Sequence, residues 1–159
     1  MPNLAGKIAL VTGSTDGVGR LVARSLAESG AHVFVHGRNS ARGQEVVAEI
    51  EAGGGRAQFI QADLSDLAEV RGLAETVVRS AERLDLLINN AGIGSGGPGA
   101  VRRTNAAGHE MRFAVNYLAG FLLTRRLLPL VVAARGRVVN VAEQRRQLDE
   151  RAAALLRAR

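Results

Sequence analysis

A short apolar run, Lys7 to Thr12, leads into Thr12-Gly13-Ser14-Thr15-Asp16-Gly17-Val18-Gly19, and apolar residues at helical spacing follow. Glycines between a strand and a helix let the backbone approach a pyrophosphate. The anion then rests on the helix N-terminus, where free N–H groups and the dipole favour negative charge. Alone, such a turn is a weak signal, because many glycine-rich turns are only tight turns. A second group of interest lies about twenty residues on, at His36-Gly37-Arg38-Asn39. In dinucleotide-binding domains an acid at this point bonds the ribose 2′-hydroxyl, and an arginine accepts a 2′-phosphate instead. Gly37 stands at the acidic position and Arg38 follows it. A carboxylate would repel the phosphate, whereas a guanidinium grips it with two hydrogen bonds, so the pattern favours NADP(H) over NAD(H). Read without a ligand, Arg38 is a surface arginine of an arginine-rich chain, and His36 is a surface residue at a strand end.

These residues need elements to hold them, and the apolar pattern supplies five strands and the helices between. After the strand at Lys7–Thr12, Val18, Leu21, Val22 and Leu26 share a helix face, and Gly30 stops it. His32–His36 is a second strand, and the helix from about Ser40 ends at Gly53-Gly54-Gly55. Gln58–Ala62 is a third strand, and Ser65 is positioned to cap the helix that carries Leu67, Val70, Leu73 and Val77. Asp85–Asn89 is the fourth strand, followed by a glycine-rich loop from Gly92 to Gly108, a long helix over 110–134, and a fifth strand at Arg137–Val141. Strict alternation predicts an α/β fold, a doubly wound parallel Rossmann sheet of order 3-2-1-4-5, because parallel strands need right-handed helical crossovers. Residues 1–142 read as this domain. Residues 143–159 read as a divergent tail, with Leu148, Ala152, Leu155 and Leu156 on one face of an amphipathic helix.

The first turn has the spacing Thr-Gly-x-x-x-Gly-x-Gly, and three more motifs follow in order: Asp63-Leu64, Asn89-Asn90-Ala91-Gly92, and Phe113-Ala114-Val115-Asn116-Tyr117-Leu118. Together they resemble the short-chain dehydrogenase/reductase family over about Leu4 to Ala142. The stretch from Gly108 to Pro129 is most similar to its retinol-dehydrogenase-like and protochlorophyllide-reductase-like branch. The resemblance implies hydride transfer between a nicotinamide dinucleotide and a carbonyl or alcohol. It assigns cofactor contacts to Gly13, Ser14, Thr15, Asp16, Gly17, Val18 and Gly19 in the turn. Arg38 and Asn39 would take the 2′-phosphate, Asp63 and Leu64 would flank the adenine, and Asn90, Ala91 and Gly92 would line the ribose side. Asn116 matches the asparagine of the family's catalytic tetrad; the plain structural alternative is a helix asparagine bonding to backbone. Tyr117 occupies a variable position and is expected to pack. The long helix helps build subunit interfaces in the family, so association of copies through 110–134 is also implied.

The other tetrad members have no match. The family's proton donor is a tyrosine with a lysine four residues later, but the chain has one tyrosine, Tyr117, and one lysine, Lys7. Glu143 follows Asn140-Val141-Ala142 where the family's serine is expected. General acid catalysis contributes about 10²–10⁴-fold, and each oxyanion donor about 10²–10³-fold. The chain as written is therefore expected to bind cofactor without ordinary turnover. A non-catalytic nucleotide-binding or interaction module, or the product of a disrupted gene, accounts for the same residues.

Composition narrows the remaining classes. The 159 residues carry a net charge of +6, with arginines scattered among acids and 3% aromatics, which argues against a nucleic-acid platform. No cysteine is present, which excludes disulfides and thiolate metal sites, and no metal site is expected. The first residues show no secretory pattern, and the most apolar stretch, Tyr117–Ala134, is interrupted by Arg125, Arg126 and Pro129. A cytoplasmic protein without a membrane span is the resulting expectation.

Overall fold

The structure is a computed structural model that describes residues 3–94 and 101–142. Its elements are β1 (Ile8–Val11), α1 (Gly17–Glu28), β2 (His32–Gly37), α2 (Ser40–Ala52), β3 (Arg56–Gln61), α3 (Leu67–Ser80) and β4 (Leu86–Asn89). Then come α4 (Met111–Phe113), a π-helical segment (Ala114–Leu118), α5 (Ala119–Ala133) and β5 (Arg137–Asn140). All sheet pairings are parallel and the order is β3-β2-β1-β4-β5, as the alternation predicts. Strand order reverses between β1 and β4, which opens a crevice at their carboxyl ends.

Successive side chains of the central strands point to opposite faces, and both faces are covered. Leu10, Phe34 and Leu87 pack with Leu73 and Val77 of α3 and Leu123 and Leu127 of α5. Val11, Val33 and Val35 pack with Ala23 and Ala27 of α1 and Val46 and Ile50 of α2. Each fully buried Val or Leu contributes roughly 1.5–3 kcal/mol. Burial on both faces explains why these strands read as continuous apolar runs.

Two local details differ from the sequence reading. The cap of α3 is Asp66, whose carboxylate accepts the Ala68 N–H at 2.7 Å. Ser65 is held outside the helix by a turn, its N–H bonded to the Asp63 carboxylate and its carbonyl to Asn105. The predicted helix over 110–134 begins after the capping Glu110 and contains the π-helical segment, one residue wider per turn than a regular helix. By length and composition, Met111–Ala133 meets the test for a membrane-crossing helix. In this fold Ala119, Leu123, Leu127 and Val131 of that helix are buried. The expected tail helix over 143–159, with Glu143, lies outside the described residues.

The amino ends of β1 and β4 are stitched by one carboxylate. Asp85 is 7% exposed; it accepts Lys7 Nζ at 2.9 Å and the Ile8 N–H at 3.0 Å, with Arg83 Nε at 3.5 Å. Burial pushes its pKa up, but the Lys7 and Ile8 hydrogen bonds and the charges of Lys7 and Arg83 outweigh burial and hold it below the ordinary value. A depressed carboxylate pKa adds stability that is present above the unfolded pKa and lost as pH falls through the folded one. Asp85→Ala should therefore cost about 2 kcal/mol at neutral pH, or roughly 4–8 °C in Tm. The difference between wild type and variant should shrink below about pH 4, near the unfolded carboxylate pKa. Thermal melts of both proteins across pH 3–7 check this, and a constant difference would refute the assignment.

Candidate cofactor-binding site

The turn after β1 is shaped by two glycines that other residues could not replace. Gly13 has φ +64°, and a Cβ there would lie 2.8 Å from Ala91 Cα. A Cβ on Gly19 would lie 2.3 Å from the Gly13 carbonyl oxygen and 2.4 Å from Asn90 Nδ2. The turn is thus pressed against the loop that leaves β4. Thr12 and Asn90 fasten the two together. Thr12 Oγ1 accepts the N–H groups of Asn90 and Ala91, both at 3.0 Å. Asn90 Nδ2 donates to the carbonyls of Thr12 and Gly13 at 2.9 and 3.2 Å.

The N–H groups of the turn divide into spent and free. Gly13 donates to the His36 ring and Ser14 to the His36 carbonyl. Asp16 caps α1 and takes the Gly17 N–H at 2.7 Å. Among the described residues no acceptor meets the N–H groups of Val18 and Gly19 in the first turn of α1, where an anion belongs. Gly17, at φ +52°, has open space where a Cβ would point. Ser14 departs from the expected cofactor contact. It is fully buried, its hydroxyl donating to the Val11 carbonyl at 2.7 Å and accepting the His36 N–H at 3.0 Å. Its role here is to brace the turn from within.

The ends of β2 and β3 lie beside this turn. A Cβ on Gly37 would fall 2.5 Å from Thr15 Cγ2, so Thr15 fills the space an acidic side chain would need. Arg38 is exposed, and its guanidinium has no bonding partner among the described residues. Asn39 caps α2 by accepting the Arg42 N–H, which turns its oxygen to the helix and leaves both amide N–H donors for a ligand. Arg42 also pairs with Asp16 at 3.2 Å and so offsets the one carboxylate at the turn. Leu64 is buried on the cleft wall, and Asp63 accepts the Ser65 N–H.

His36 is a correction. The strand-end histidine expected on the surface is 2% exposed and bonded through both ring nitrogens. Burial lowers its pKa to about 4 against the raising effects of the Ala62 hydrogen bond and the Asp63 charge.

From the turn a cleft of about 1010 Å³ runs between the carboxyl ends of β4 and β5 and the helix over 111–133. Of the predicted site residues, Val18, Leu64, Asn90, Ala91, Gly92 and Asn116 line it. Asn116 sits in the π-helical segment, and its amide clamps the backbone of Ile93, accepting N–H at 2.9 Å and donating to the carbonyl at 3.1 Å. These bonds tie the helix to the loop after β4 rather than to the helix's own backbone. Asn89, the first residue of the Asn-Asn-Ala-Gly motif but not among the expected cofactor contacts, donates to Thr124 and Asn140, and its Oδ1 has no partner among the described residues. Tyr117 packs differently from expectation. Its ring is 58% exposed and stacks between Phe113 at 5.3 Å and Phe121 at 6.3 Å.

The family model described as short chain dehydrogenase matches residues 7–147. Polyprenol dehydrogenase of Mus musculus is 44% identical over 148 residues, which are 89% of this chain and 43% of that protein. Retinol dehydrogenase 12 of Homo sapiens is 37% identical over 142 residues, 87% of this chain and 44% of that one. The chain thus spans about half the length of the curated relatives it matches, or less. A metagenomic short-chain oxidoreductase solved in complex with NADP superposes with a TM-score of 0.80 at 35% identity, covering 90% of this chain and 65% of that one. The Pseudomonas aeruginosa RhlG/NADP complex superposes with a TM-score of 0.73 at 36% identity, over 84% and 52% of the two chains. By model, relatives and fold alike, this chain belongs to the short-chain dehydrogenase family.

Proposed function

We propose that this chain binds NADP(H) in preference to NAD(H), as the cofactor-holding portion of a short-chain oxidoreductase. The observation that carries the preference is the pairing at the end of β2. Gly37 is closed against Thr15, so no carboxylate fits there, while the Arg38 guanidinium beside it is unpartnered. The free N–H groups of Val18 and Gly19 would hold the pyrophosphate, Arg38 and the Asn39 amide the 2′-phosphate, and Leu64 a face of the adenine. Solved relatives with NADP bound support the same choice.

The bound dinucleotide would supply a hydride to a carbonyl or take one from an alcohol. Proton transfer has no evident donor here, because Tyr117 and Lys7 are the chain's one tyrosine and one lysine and no Tyr-x-x-x-Lys pair occurs. Asn116 holds the Ile93 loop and so shapes the floor of the cleft. We therefore propose that this chain alone binds cofactor without turning over substrate.

Three measurements test this reading. In calorimetric titrations Arg38→Ala should weaken NADPH about 10–100-fold and leave NADH nearly unchanged, since a charge-assisted phosphate grip is worth roughly 1.5–3 kcal/mol. Equal losses for both cofactors would remove Arg38 from the 2′-phosphate site. Gly37→Asp alone should lower Tm without improving NADH binding, whereas Gly37→Asp with Thr15→Ala should gain NADH affinity. An NADH-binding single variant would show that Thr15 does not guard the position. Finally, NADPH oxidation with aldehydes and ketones should stay at background. A faster rate that Asn116→Ala abolishes would overturn the proposed lack of turnover.

A further inference from the structure

His36 is the buried member of the chain's three histidines, and nothing in the cofactor reading uses it. Its surroundings determine its chemical form. Nε2 lies 3.2 Å from the Ala62 carbonyl, which can only accept, so Nε2 carries the hydrogen. Nδ1 lies 3.1 Å from the Gly13 nitrogen, whose N–H can only donate, so Nδ1 is bare. Two backbone partners thus select one neutral tautomer. The main chain of His36 adds two bonds to Ser14, from its N–H to the hydroxyl and from the Ser14 N–H to its carbonyl. One residue therefore ties the turn after β1, the end of β2 and the residue beyond β3.

Resting on the cofactor-binding reading, we propose that His36 is a positioning residue for the dinucleotide. Its Nδ1 holds the Gly13 peptide in orientation and so aims the free N–H groups of Val18 and Gly19 at the pyrophosphate. Gly13 is the point at which such a hold is needed. Its backbone is left-handed and pressed on Ala91, so its N–H cannot turn to another acceptor without moving the turn. A ring proton added at Nδ1 would face the Gly13 N–H with a second donor and release it. Burial opposes that protonation, and Asp63, just beyond β3, is the charge that favours it. The lowered pKa keeps the clip closed at neutral pH. The neutral ring contributes stability above its unfolded pKa near 6.5, and this is lost as pH falls toward about 4.

The pyrophosphate is common to both cofactors, so the signature differs from that of Arg38. His36→Leu should weaken NADPH and NADH alike, by roughly tenfold, as expected for a buried donor stripped of its acceptor. His36→Asn, whose Oδ1 can stand where Nδ1 stood, should recover most of both affinities, and His36→Gln should recover less. Equal binding by wild type and His36→Leu would make His36 mere packing, as would equal recovery by Asn and Gln. If His36→Leu does not fold, the Asn and Gln pair decides. The clip can also be read without ligand, from long-range proton–nitrogen spectra of the imidazole in the unliganded wild-type chain. A neutral ring with hydrogen on Nε2 at pH 6 is expected. A protonated ring or the Nδ1–H tautomer at that pH would overturn the clip. Failure of the wild type to bind either cofactor, with the expected tautomer present, would instead defeat the cofactor reading and, with it, the positioning role.

Discussion

Everything at this site depends on the contact between two chain reversals, the turn after β1 and the loop after β4. They meet closely enough that Gly13 has no room for a Cβ against Ala91, and Gly19 none against Asn90. Thr12 and Asn90 hold them there with four hydrogen bonds between backbone and side chain. The sheet makes this contact necessary. Strand order reverses between β1 and β4, their crossover helices leave to opposite faces, and the crevice between would otherwise splay. The lock consumes the carbonyls and hydroxyl that face one another, and the N–H groups of Val18 and Gly19 in α1's first turn meet no acceptor among the described residues.

Electrostatics near that site are balanced by neighbours on α2. Asp16 earns its place as the cap of α1, but its carboxylate opposes any phosphate brought to the same helix end. Arg42, from the first turn of α2, pairs with it. An exposed pair of this kind adds little stability, so its consequence is local charge rather than fold energy. Among the described residues Arg38 has no such partner, which leaves its guanidinium open to a ligand. The proposed preference for a 2′-phosphate thus rests on an arginine without an ion-pair partner among the described residues and a glycine kept small, on neighbouring residues of one strand end.

Strand order and the glycine turn were legible because they are written in local patterns: apolar runs, helical spacing and glycines at fixed offsets. Gly30 and Gly53 to Gly55 ended their helices for reasons readable from the chain alone. What escaped reading was set by partners far away in sequence. His36 looked like a surface residue because its acceptor and donor, Ala62 and Gly13, come from two other segments. Ser14 looked like a ligand contact because its motif is local, but its hydroxyl is directed inward by β2. The cap at Asp66 in place of Ser65 followed from a turn at Asp63. The π-helical segment adds one residue to a helix turn, and apolar periodicity shows no trace of it. It nevertheless decides where Asn116 points.

The two ends of the cleft differ in how far their own residues satisfy them. At the pyrophosphate end, carbonyls, hydroxyls and the buried imidazole are mutually bonded, and the free groups are N–H donors aimed outward. At the other end, Asn116 spends one donor and one acceptor on Ile93, and Asn89 Oδ1 is buried on the cleft wall with no donor among the described residues. An unmet buried acceptor costs roughly 1–3 kcal/mol, a cost a hydrogen-bond donor placed in the cleft would relieve. The first end is therefore preorganised for an anion whatever lies elsewhere, because none of its internal bonds needs a ligand. The second is lined by Asn89, Thr124 and Asn140 beside apolar side chains and keeps one polar vacancy, which favours an occupant able to donate a hydrogen bond. The two ends thus make different demands on an occupant: the helix terminus offers N–H donors already held in place by the turn, and the floor between β4, β5 and the long helix offers an acceptor that still needs a donor.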